Sequence, residues 1–335
     1  MPLNNKLYDE AKRAAELFRD SESFLVSAHL RPDGDACGSL SGLFKVLNAL
    51  GKKVDLLMPD NIPGSFAYLF PDNINQIRET EFVSDHDVYV VLDCGEEERT
   101  GCKVIRDSNK TPLVNIDHHA SNTMFGNINL VDTSSAATTQ ILTLFFDKFG
   151  FPLDKDAAES LILGMFTDSR FFQVDNVSAD THKAASILLS TGLDQMPILE
   201  RLNSSRSFTD LQVLSLALSN LETHEDDKIS LSVIKQKDLK ALNATVSNIY
   251  GSGIFNMPLT IRSVMLAITV FEREDGMTAC EFRSRGGINV RDVAVAFGGG
   301  GHLAASGCSL EANIDEVASR ALELSKQAYR ERFGI

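Results

Sequence analysis

The chain has 335 residues, a length that predicts two domains. It is 43% hydrophobic and 23% charged, a composition that can bury a sizeable core and argues against a disordered protein. Its net charge of −14 argues against a surface for gripping long nucleic acid, and its apolar runs, such as 141–146, are too short to span a membrane. The five cysteines include no C-x-x-C pair, which argues against a disulfide framework or a cysteine zinc site. Residues 1–20 are charged and lack the apolar core of a signal peptide, so we expect a cytoplasmic protein.

From residue 24 onward, short β-rich apolar runs alternate with helical patterns. This alternation predicts an α/β fold, with a mainly parallel sheet that is covered by helices on both faces. The predicted strands of this part are 24–29, 54–58, 88–93, 112–117 and 128–131. The predicted helices are 37–50, 135–149, 156–171 and 179–189.

Residues 207–222 predict one amphipathic helix. Beyond this stretch the pattern of strands and helices changes. The strands predicted after it are 229–234, 264–272 and 278–285, and the helices are 290–297 and 314–333. From Asp226 to the end there are 13 acidic and 13 basic residues, so the whole excess of −14 lies before Asp226. We therefore predict a first domain over 1–195, a helical linker over 196–225 and a smaller α/β domain over 226–335.

Side chains of the kind that bind metals lie at the ends of the predicted strands. The first strand leads into His29-Leu30-Arg31-Pro32-Asp33-Gly34-Asp35, another ends at Asp93, and a third ends in Asp117-His118-His119. Asp168 lies in an otherwise apolar helix, where a charge without a partner is costly. Because ligands bind at the carboxyl ends of strands in an open α/β sheet, these side chains are candidates for one site.

Each of these pieces alone has an ordinary structural explanation, such as a turn, a helix cap or a solvated surface group. Their joint occurrence favours a metal site. Imidazole and carboxylate ligands without a thiolate suit Mn²⁺ or Mg²⁺, and two such ions about 3.5–4 Å apart are the usual site for phosphoester hydrolysis.

Together these motifs resemble the four motifs of the DHH phosphoesterase superfamily. The run Gly298-Gly299-Gly300-Gly301-His302, followed by Ala304-Ala305-Ser306-Gly307, resembles the glycine-rich signature of its DHH-associated C-terminal domain. The superfamily includes RecJ exonucleases, type II inorganic pyrophosphatases, nanoRNase/pAp phosphatases and cyclic-dinucleotide phosphodiesterases. The two-domain size without further modules most resembles the nanoRNase/pAp phosphatase branch.

The resemblance implies a DHH metal-binding catalytic domain over 1–195 and a substrate-binding domain over 226–335. It implies that one metal binds His29, Asp33 and Asp93. It implies that the other binds Asp35, Asp93, His118 and Asp168, so that Asp93 bridges the two. Asp117 would orient the histidines, and His119 would face the phosphate as a catalytic group.

The glycine run and a nearby arginine pair are candidates for substrate binding. Successive glycines let backbone N–H groups surround an anion, and a helix beginning at His302 would add its dipole; a flexible turn is the alternative. If 278–285 is a strand, Arg283 and Arg285 project from one face and could hold a phosphate. The predicted substrate residues are Arg283, Ser284, Arg285, Gly299, Gly300, Gly301, His302 and Arg99, although a solvated charge run explains Arg99 equally well.

The function implied is that of a phosphohydrolase with two divalent ions, Mn²⁺ or else Mg²⁺. By the resemblance it acts on short oligoribonucleotides of two to about five residues, giving nucleoside monophosphates, and on pAp, giving AMP; the acidic composition also disfavours long strands. The alternatives are a stand-alone phosphodiesterase for cyclic or linear dinucleotides and a non-catalytic nucleotide-binding regulator. No membrane partner is expected, and the sequence leaves a homodimer open.

Overall fold

The computed structural model describes residues 5–204 and 206–334. The beginning of the stretch 1–20, one residue of the predicted linker and the last residue of the predicted second domain lie outside these ranges. The chain divides into two compact units, with the division between Glu200 and Arg201. Within the described ranges, no helix has both the length and the apolar character needed to cross a membrane.

The first unit is an α/β fold in which helices and strands alternate at the start, several strands then follow one another between residues 53 and 131, and helices complete the unit. Its strands are β1 (Ser23–Ser27), β2 (Lys53–Leu57), β3 (Gln76–Ile77), β4 (Glu81–Val83), β5 (Val88–Leu92), β6 (Lys103–Ile105), β7 (Leu113–Asp117) and β8 (Ile128–Val131). Its helices are α1 (Asn5–Asp20), α2 (Gly34–Ala49), α3 (Thr138–Phe149), α4 (Lys155–Asp168), α5 (Ala179–Ser190) and α6 (Met196–Asn203), the last of which spans the division between the units.

The main sheet of this unit is parallel throughout, with the strand order β3-β2-β1-β5-β7-β8. Strands β5 and β7 are buried along their whole length, as expected when both faces of a parallel sheet are covered. The chain runs outward from β1 to β3 and returns to β5 on the other side of β1. The gap between β1 and β5 is therefore the topological switch point, where ligands bind in such sheets. Strands β4 and β6 pair in parallel and form a separate two-stranded sheet.

Helices α2 and α4 pack with their backbones unusually close together. Gly34, Gly38 and Gly42 recur every four residues on one face of α2. A Cβ atom on Gly38 would lie 2.5 Å from the Ser160 carbonyl oxygen of α4, so only glycine fits there without a shift. This close packing places the beginning of α2 beside the carboxyl end of α4, where Asp168 lies.

The second unit also combines a sheet with helices. Its helices are α7 (Phe208–Ser219), α8 (Gln236–Ala241), α9 (Val246–Ser252), α10 (Val290–Val295) and α11 (Ile314–Phe333). Its strands are β9 (Leu221–His224), β10 (Ile229–Ile234), β11 (Leu266–Glu272), β12 (Thr278–Ser284), β13 (Gly300–His302) and β14 (Ala305–Leu310). The sheet order is β13-β14-β12-β11-β10-β9, with β10 and β11 parallel and the other neighbours antiparallel.

The predicted fold class is confirmed: an α/β fold with a mainly parallel sheet, followed by a second sheet domain. Several boundaries differ from the predictions, and two of the differences change the type of element. The helix predicted over 207–222 ends at Ser219, because strand β9 begins at Leu221 and pairs with β10. No described helix begins at His302; that residue ends β13, which forms a hairpin with β14. The pairing of β14 with β12 holds the segment extended, so it does not coil into a helix.

Candidate functional site

A first group of metal-type side chains lies where β1 and β5 end. His29 Nε2 lies 3.6 Å from Asp93 Oδ2 and 3.8 Å from Asp33 Oδ1. The other ring nitrogen, Nδ1, lies 2.8 Å from the Leu30 carbonyl oxygen and donates to it, which leaves Nε2 to face the carboxylates. Asp33 caps helix α2 by accepting from the N–H groups of Asp35 and Ala36, so both the imidazole and the carboxylate are held in place.

A second group consists of Asp35, His118 and Asp168. His118 Nε2 lies 3.2 Å from Asp168 Oδ2, and Nδ1 of the same ring lies 3.3 Å from the Ser135 carbonyl oxygen. Asp35 is only 1% exposed and accepts hydrogen bonds from the first residues of α3. One ligand atom from each of Asp35, His118 and Asp168 lies within 4.8 Å of the others.

Asp93 faces both groups. Its Oδ2 is turned to His29, while its Oδ1 lies 3.6 Å from His118 Nε2 and 3.7 Å from His119 Nδ1. The residue has a left-handed backbone (φ 51°), which is uncommon for residues other than glycine, although aspartate adopts it more readily than most. The structure thus brings the six predicted ligand side chains together, with Asp93 between the two groups.

Asp117 and His119 form a pair at the edge of this cluster, where one ligand atom each from His119, Asp93 and His118 lie within 4.8 Å of one another. Asp117 is fully buried; its Oδ1 lies 2.7 Å from His119 Nδ1, and its Oδ2 accepts from Asn122 at 2.7 Å. Burial would raise the pKa of Asp117, but His119 and Asn122 lower it below its ordinary value, and the carboxylate in turn raises the pKa of His119. Asp117 was expected to orient both histidines; its contact is with His119, and the Ser135 carbonyl holds His118.

The closely spaced carboxylates of the cluster favour the binding of cations. Burial and the neighbouring charges of Asp93 and Asp168 raise the pKa of Asp35 well above its ordinary value. Burial, together with Asp93 and Asp33, raises the pKa of Asp168 to about 6, although His118 opposes this. Burial alone would lower the pKa of His29, but Asp33 and Asp93 raise it to about 10. Carboxylates that repel one another at this spacing need positive charge between them, and the oxygen and imidazole donors fit Mn²⁺ or Mg²⁺.

Two threonines that sequence reasoning missed support the carboxylates. Thr138 donates its N–H to Asp35 Oδ2 at 2.6 Å and its hydroxyl to Asp93 Oδ1 at 2.9 Å. Thr139 donates both its N–H and its hydroxyl to Asp35 Oδ1. The helix predicted to begin at residue 135 begins at Thr138, and its first N–H groups bind the distant Asp35. The feature of the sequence that could have identified these residues is the pair of adjacent threonines near the start of a predicted helix.

Arg99 lies in a short 3₁₀ helix, Glu97–Thr100, after β5. Its carbonyl oxygen accepts from the N–H of Leu30 at 2.7 Å, which ties this segment to the His29 loop. Its exposed side chain carries a positive charge close enough to lower the pKa of His119 somewhat against the larger effect of Asp117. Arg99 therefore belongs to the surroundings of the cluster.

In the second unit, Arg283 is the better positioned of the predicted arginines. Its Nη1 donates to Glu281 Oε2 and to the Phe282 carbonyl oxygen, both at 2.9 Å, and its guanidinium lies over the Phe255 ring at 5.5 Å. Arg285 was expected on the same strand face, but β12 ends before it, and its Nη2 donates to two backbone carbonyls. Ser284 is buried and donates to the Ile288 carbonyl oxygen, so its hydroxyl is already engaged.

The glycine run forms the edge of the same sheet. Gly299 lies against the Gly307 carbonyl and Cys308, and Gly301 (φ 139°) lies against Ser306, so neither position has room for a side chain. Gly300 is open. His302 and Arg283 both pair with Ala305, on either side of it, and therefore point to one face of the sheet. This described segment does not begin a helix, so the predicted helix dipole is absent from it. The exposed imidazole of His302 and the hydrogen-bonded guanidinium of Arg283 lie on either side of the small residue Ala305.

Comparisons with known proteins identify the two domains. The family model described as "DHH family, N-terminal domain" matches residues 23–165, and the DHHA1 domain model matches residues 226–331. The bifunctional oligoribonuclease and PAP phosphatase NrnA of Thermus thermophilus is 26% identical over 329 residues, which cover 96% of this chain and 95% of the relative. The protein of the same name from Mycoplasma pneumoniae is 27% identical over 307 residues, 91% of this chain and 92% of the relative.

A solved structure shows the same fold. The exopolyphosphatase-related protein from Bacteroides fragilis superimposes with a TM-score of 0.84 at 22% identity, covering 97% of each chain. The resemblance inferred from the motifs is confirmed by the two family models and by the relatives that match nearly the whole chain. The chain therefore belongs to the DHH phosphoesterase family, with a DHHA1 domain as its second domain.

Proposed function

We propose that this protein is a two-metal phosphohydrolase that degrades oligoribonucleotides of two to about five residues and converts pAp to AMP. The observation that carries the proposal is the position of Asp93 between two groups of nitrogen and oxygen donors at the switch point of a parallel sheet. The names of the relatives that match nearly the whole chain supply the substrate classes.

The donor set supports two divalent ions, with Mn²⁺ as the proposed species. His29, Asp33 and Asp93 would hold one ion, and Asp35, Asp93, His118 and Asp168 would hold the other. When bound, such ions lower the pKa of a water molecule and neutralise charge on phosphoryl oxygens. The hydrogen bonds to Leu30 and Ser135 present Nε2 of each ligand histidine, and Thr138 and Thr139 keep the carboxylates in position.

His119 is proposed to act on the substrate. Asp117 engages its Nδ1, so Nε2 is the nitrogen that is left to meet a phosphoryl oxygen or the leaving oxygen. The raised pKa of His119 favours the protonated ring, which can donate at that point. A carboxylate that is fully buried and bonded on both oxygens is well suited to fix the ring orientation.

The second unit is proposed as a substrate-binding domain. Arg283 is held by Glu281 and by the Phe255 ring, which leaves its remaining N–H groups for a phosphate. Within the second unit, His302, Gly300 and Gly301 would lie along a bound nucleotide and Arg285 would add positive charge near it. Within the first unit, Arg99 would add positive charge near the metal cluster. Because the chain is acidic overall, these local cations and the metal ions would confine anion binding to a short substrate.

The test is a hydrolysis assay with Mn²⁺ on pAp, linear RNAs of two to about ten residues, cyclic dinucleotides and pyrophosphate. We expect turnover of pAp and the shortest RNAs, falling steeply with length. Preference for a cyclic dinucleotide would replace the proposal with the phosphodiesterase alternative, and nucleotide binding without turnover of any substrate would favour a regulator.

A variant pair separates metal binding from catalysis. Asp35→Ala should lose both activity and bound Mn²⁺, whereas His119→Gln should lose turnover while two ions per chain remain bound, as measured by elemental analysis. Loss of metal from the His119 variant would move that residue into the ligand set. Normal turnover by the Asp35 variant would contradict the two-metal assignment.

A further inference from the structure

Cys280 and Cys308 lie directly opposite each other in the second unit. Cys280 is on β12 and Cys308 on β14, and the two residues are paired in the antiparallel register of these strands. Both are free cysteines; Cys280 is fully buried and Cys308 is partly exposed. The proposed phosphohydrolase reaction uses neither residue.

The register satisfies the Cα separation that a disulfide requires. Residues directly opposite on antiparallel strands have Cα atoms about 4.5–5.5 Å apart, and a disulfide requires about 4.4–6.8 Å. Opposite residues also point to the same face of the sheet, and both cysteines pack against the same hydrophobic cluster. The two sulfur atoms can therefore join without a change of register.

We infer that Cys280 and Cys308 are an oxidation site, at which a peroxide converts the two thiols into an intrachain disulfide. In the first step the sulfur of Cys308 attacks hydrogen peroxide, giving a sulfenic acid and one water molecule. In the second step the sulfur of Cys280 attacks the sulfenic sulfur, the S–S bond forms and a second water molecule leaves. Two thiols are oxidised and one peroxide is reduced.

Cys308 is the sulfur suited to the first step. The neighbouring Cys280 lowers the pKa of Cys308, although burial and the negative charge of Glu281 oppose the effect; Arg320 adds a smaller favourable charge. The neighbouring Cys308 and burial raise the pKa of Cys280 far above its ordinary value. The partly exposed Cys308 thus has more thiolate character, and the buried Cys280 is placed to resolve its oxidised form.

Oxidation would affect the proposed substrate-binding residues Gly300, Gly301 and His302 because the preceding Gly299 packs against Cys308. A Cβ atom on Gly299 would lie 2.6 Å from the Cβ of Cys308, so the glycine run rests on this cysteine. Strand β14 also pairs with β13, which carries Gly300 and His302. Drawing Cys308 toward Cys280 changes the packing beneath the run, so we expect weaker binding of pAp; this consequence rests on the proposed function, whereas the disulfide does not.

The experiment treats the reduced full chain with hydrogen peroxide, removes the peroxide, labels free thiols and maps the cysteine peptides by mass spectrometry. The expected result is one intrachain disulfide between Cys280 and Cys308 that dithiothreitol reverses. Cys102→Ala, which removes a buried cysteine of the first unit, should still form it, and Cys308→Ala should not. Free thiols at both positions in treated wild-type protein, or bonds to other cysteines, would overturn the inference even if a variant fails to fold.

Kinetics on the same samples test the consequence. KM for pAp should rise at least about two-fold after oxidation with the bound metal unchanged, and dithiothreitol should reverse the rise. An unchanged KM in protein that carries the mapped disulfide would overturn the regulatory consequence. The same rise in peroxide-treated Cys308→Ala would assign the effect to another residue. Absence of pAp turnover in the reduced protein would instead count against the proposed function.

Discussion

Replacing Asp168 by asparagine should stabilise the metal-free protein while abolishing its activity. The surroundings of Asp168 raise its pKa to about 6 from an ordinary value of 3.8, and its side chain is 31% exposed. A difference of roughly two pKa units corresponds to about 3 kcal/mol of destabilisation when the carboxylate is charged in both the folded and unfolded states. The favourable charge of His118 is already included in this pKa, so the variant should gain up to about 3 kcal/mol at pH 8.

The sign of this effect follows from the raised pKa of the folded state. Above about pH 6 both states carry the charge, and the full penalty acts on the wild type. As the pH falls toward 4 the folded protein takes up the proton first, so the difference between Asp168→Asn and wild type should disappear.

The assay is thermal unfolding in EDTA at several pH values, with the exposed Asp175→Asn as a control that should change stability by less than about 0.5 kcal/mol. Added Mn²⁺ should stabilise the wild type more than the variant. If Asp168→Asn is less stable than wild type in EDTA at pH 8, the view of the cluster as mutually repelling carboxylates awaiting cations is wrong.

Three further substitutions test the supporting structure. Gly38→Ala should lower the free energy of unfolding by about 1–3 kcal/mol because its Cβ meets the backbone of α4, although alanine normally favours a helix; Gly64→Ala, with open space around it, should be near neutral. Thr138→Val should weaken Mn²⁺ binding by about ten-fold in calorimetry, whereas Thr143→Val, which loses a hydroxyl bond to a backbone carbonyl of the same helix, should leave it unchanged. Glu281→Gln should raise KM for pAp several-fold with normal metal content, because it loosens the arginine that the carboxylate holds.

Each of these has a distinct contradicting outcome. Equal stabilities of the two glycine variants would remove the close helix contact from the account. Equal Mn²⁺ affinities of the two threonine variants would mean that the hydroxyl bond to the proposed bridging carboxylate does not matter. An unchanged KM in the Glu281 variant would mean that the arginine is positioned by other contacts, or that it does not meet the substrate.

Sequence reasoning located the cluster because its parts have local signals. His29, Asp93 and His118 follow apolar strands, and strands of one parallel sheet end on the same edge, so a linear pattern predicts proximity. Asp168 was found by a different argument, the cost of an unpartnered charge in an apolar helix. The ligand roles themselves stay predictions.

The remaining features depend on contacts between distant parts of the chain. Thr138 donates a hydrogen bond to Asp35, which lies 103 positions earlier in the chain. The local sequence pattern predicts that the helix begins at residue 135, three residues before its start in the structure. The glycines of α2 recur every four residues, a spacing that could have indicated a close helix contact. The local sequence at Gly298–His302 is compatible with the start of a helix or with a turn. The structure has a hairpin of β13 and β14 there, and the pairing of β14 with the distant strand β12 stabilises it.

The most direct test of the central claim is anomalous diffraction from crystals grown with Mn²⁺. Two manganese peaks about 3.5–4 Å apart, with a carboxylate oxygen of Asp93 directed at each, are the expected result. A single peak, or two peaks that Asp93 does not join, would contradict the two-metal mechanism.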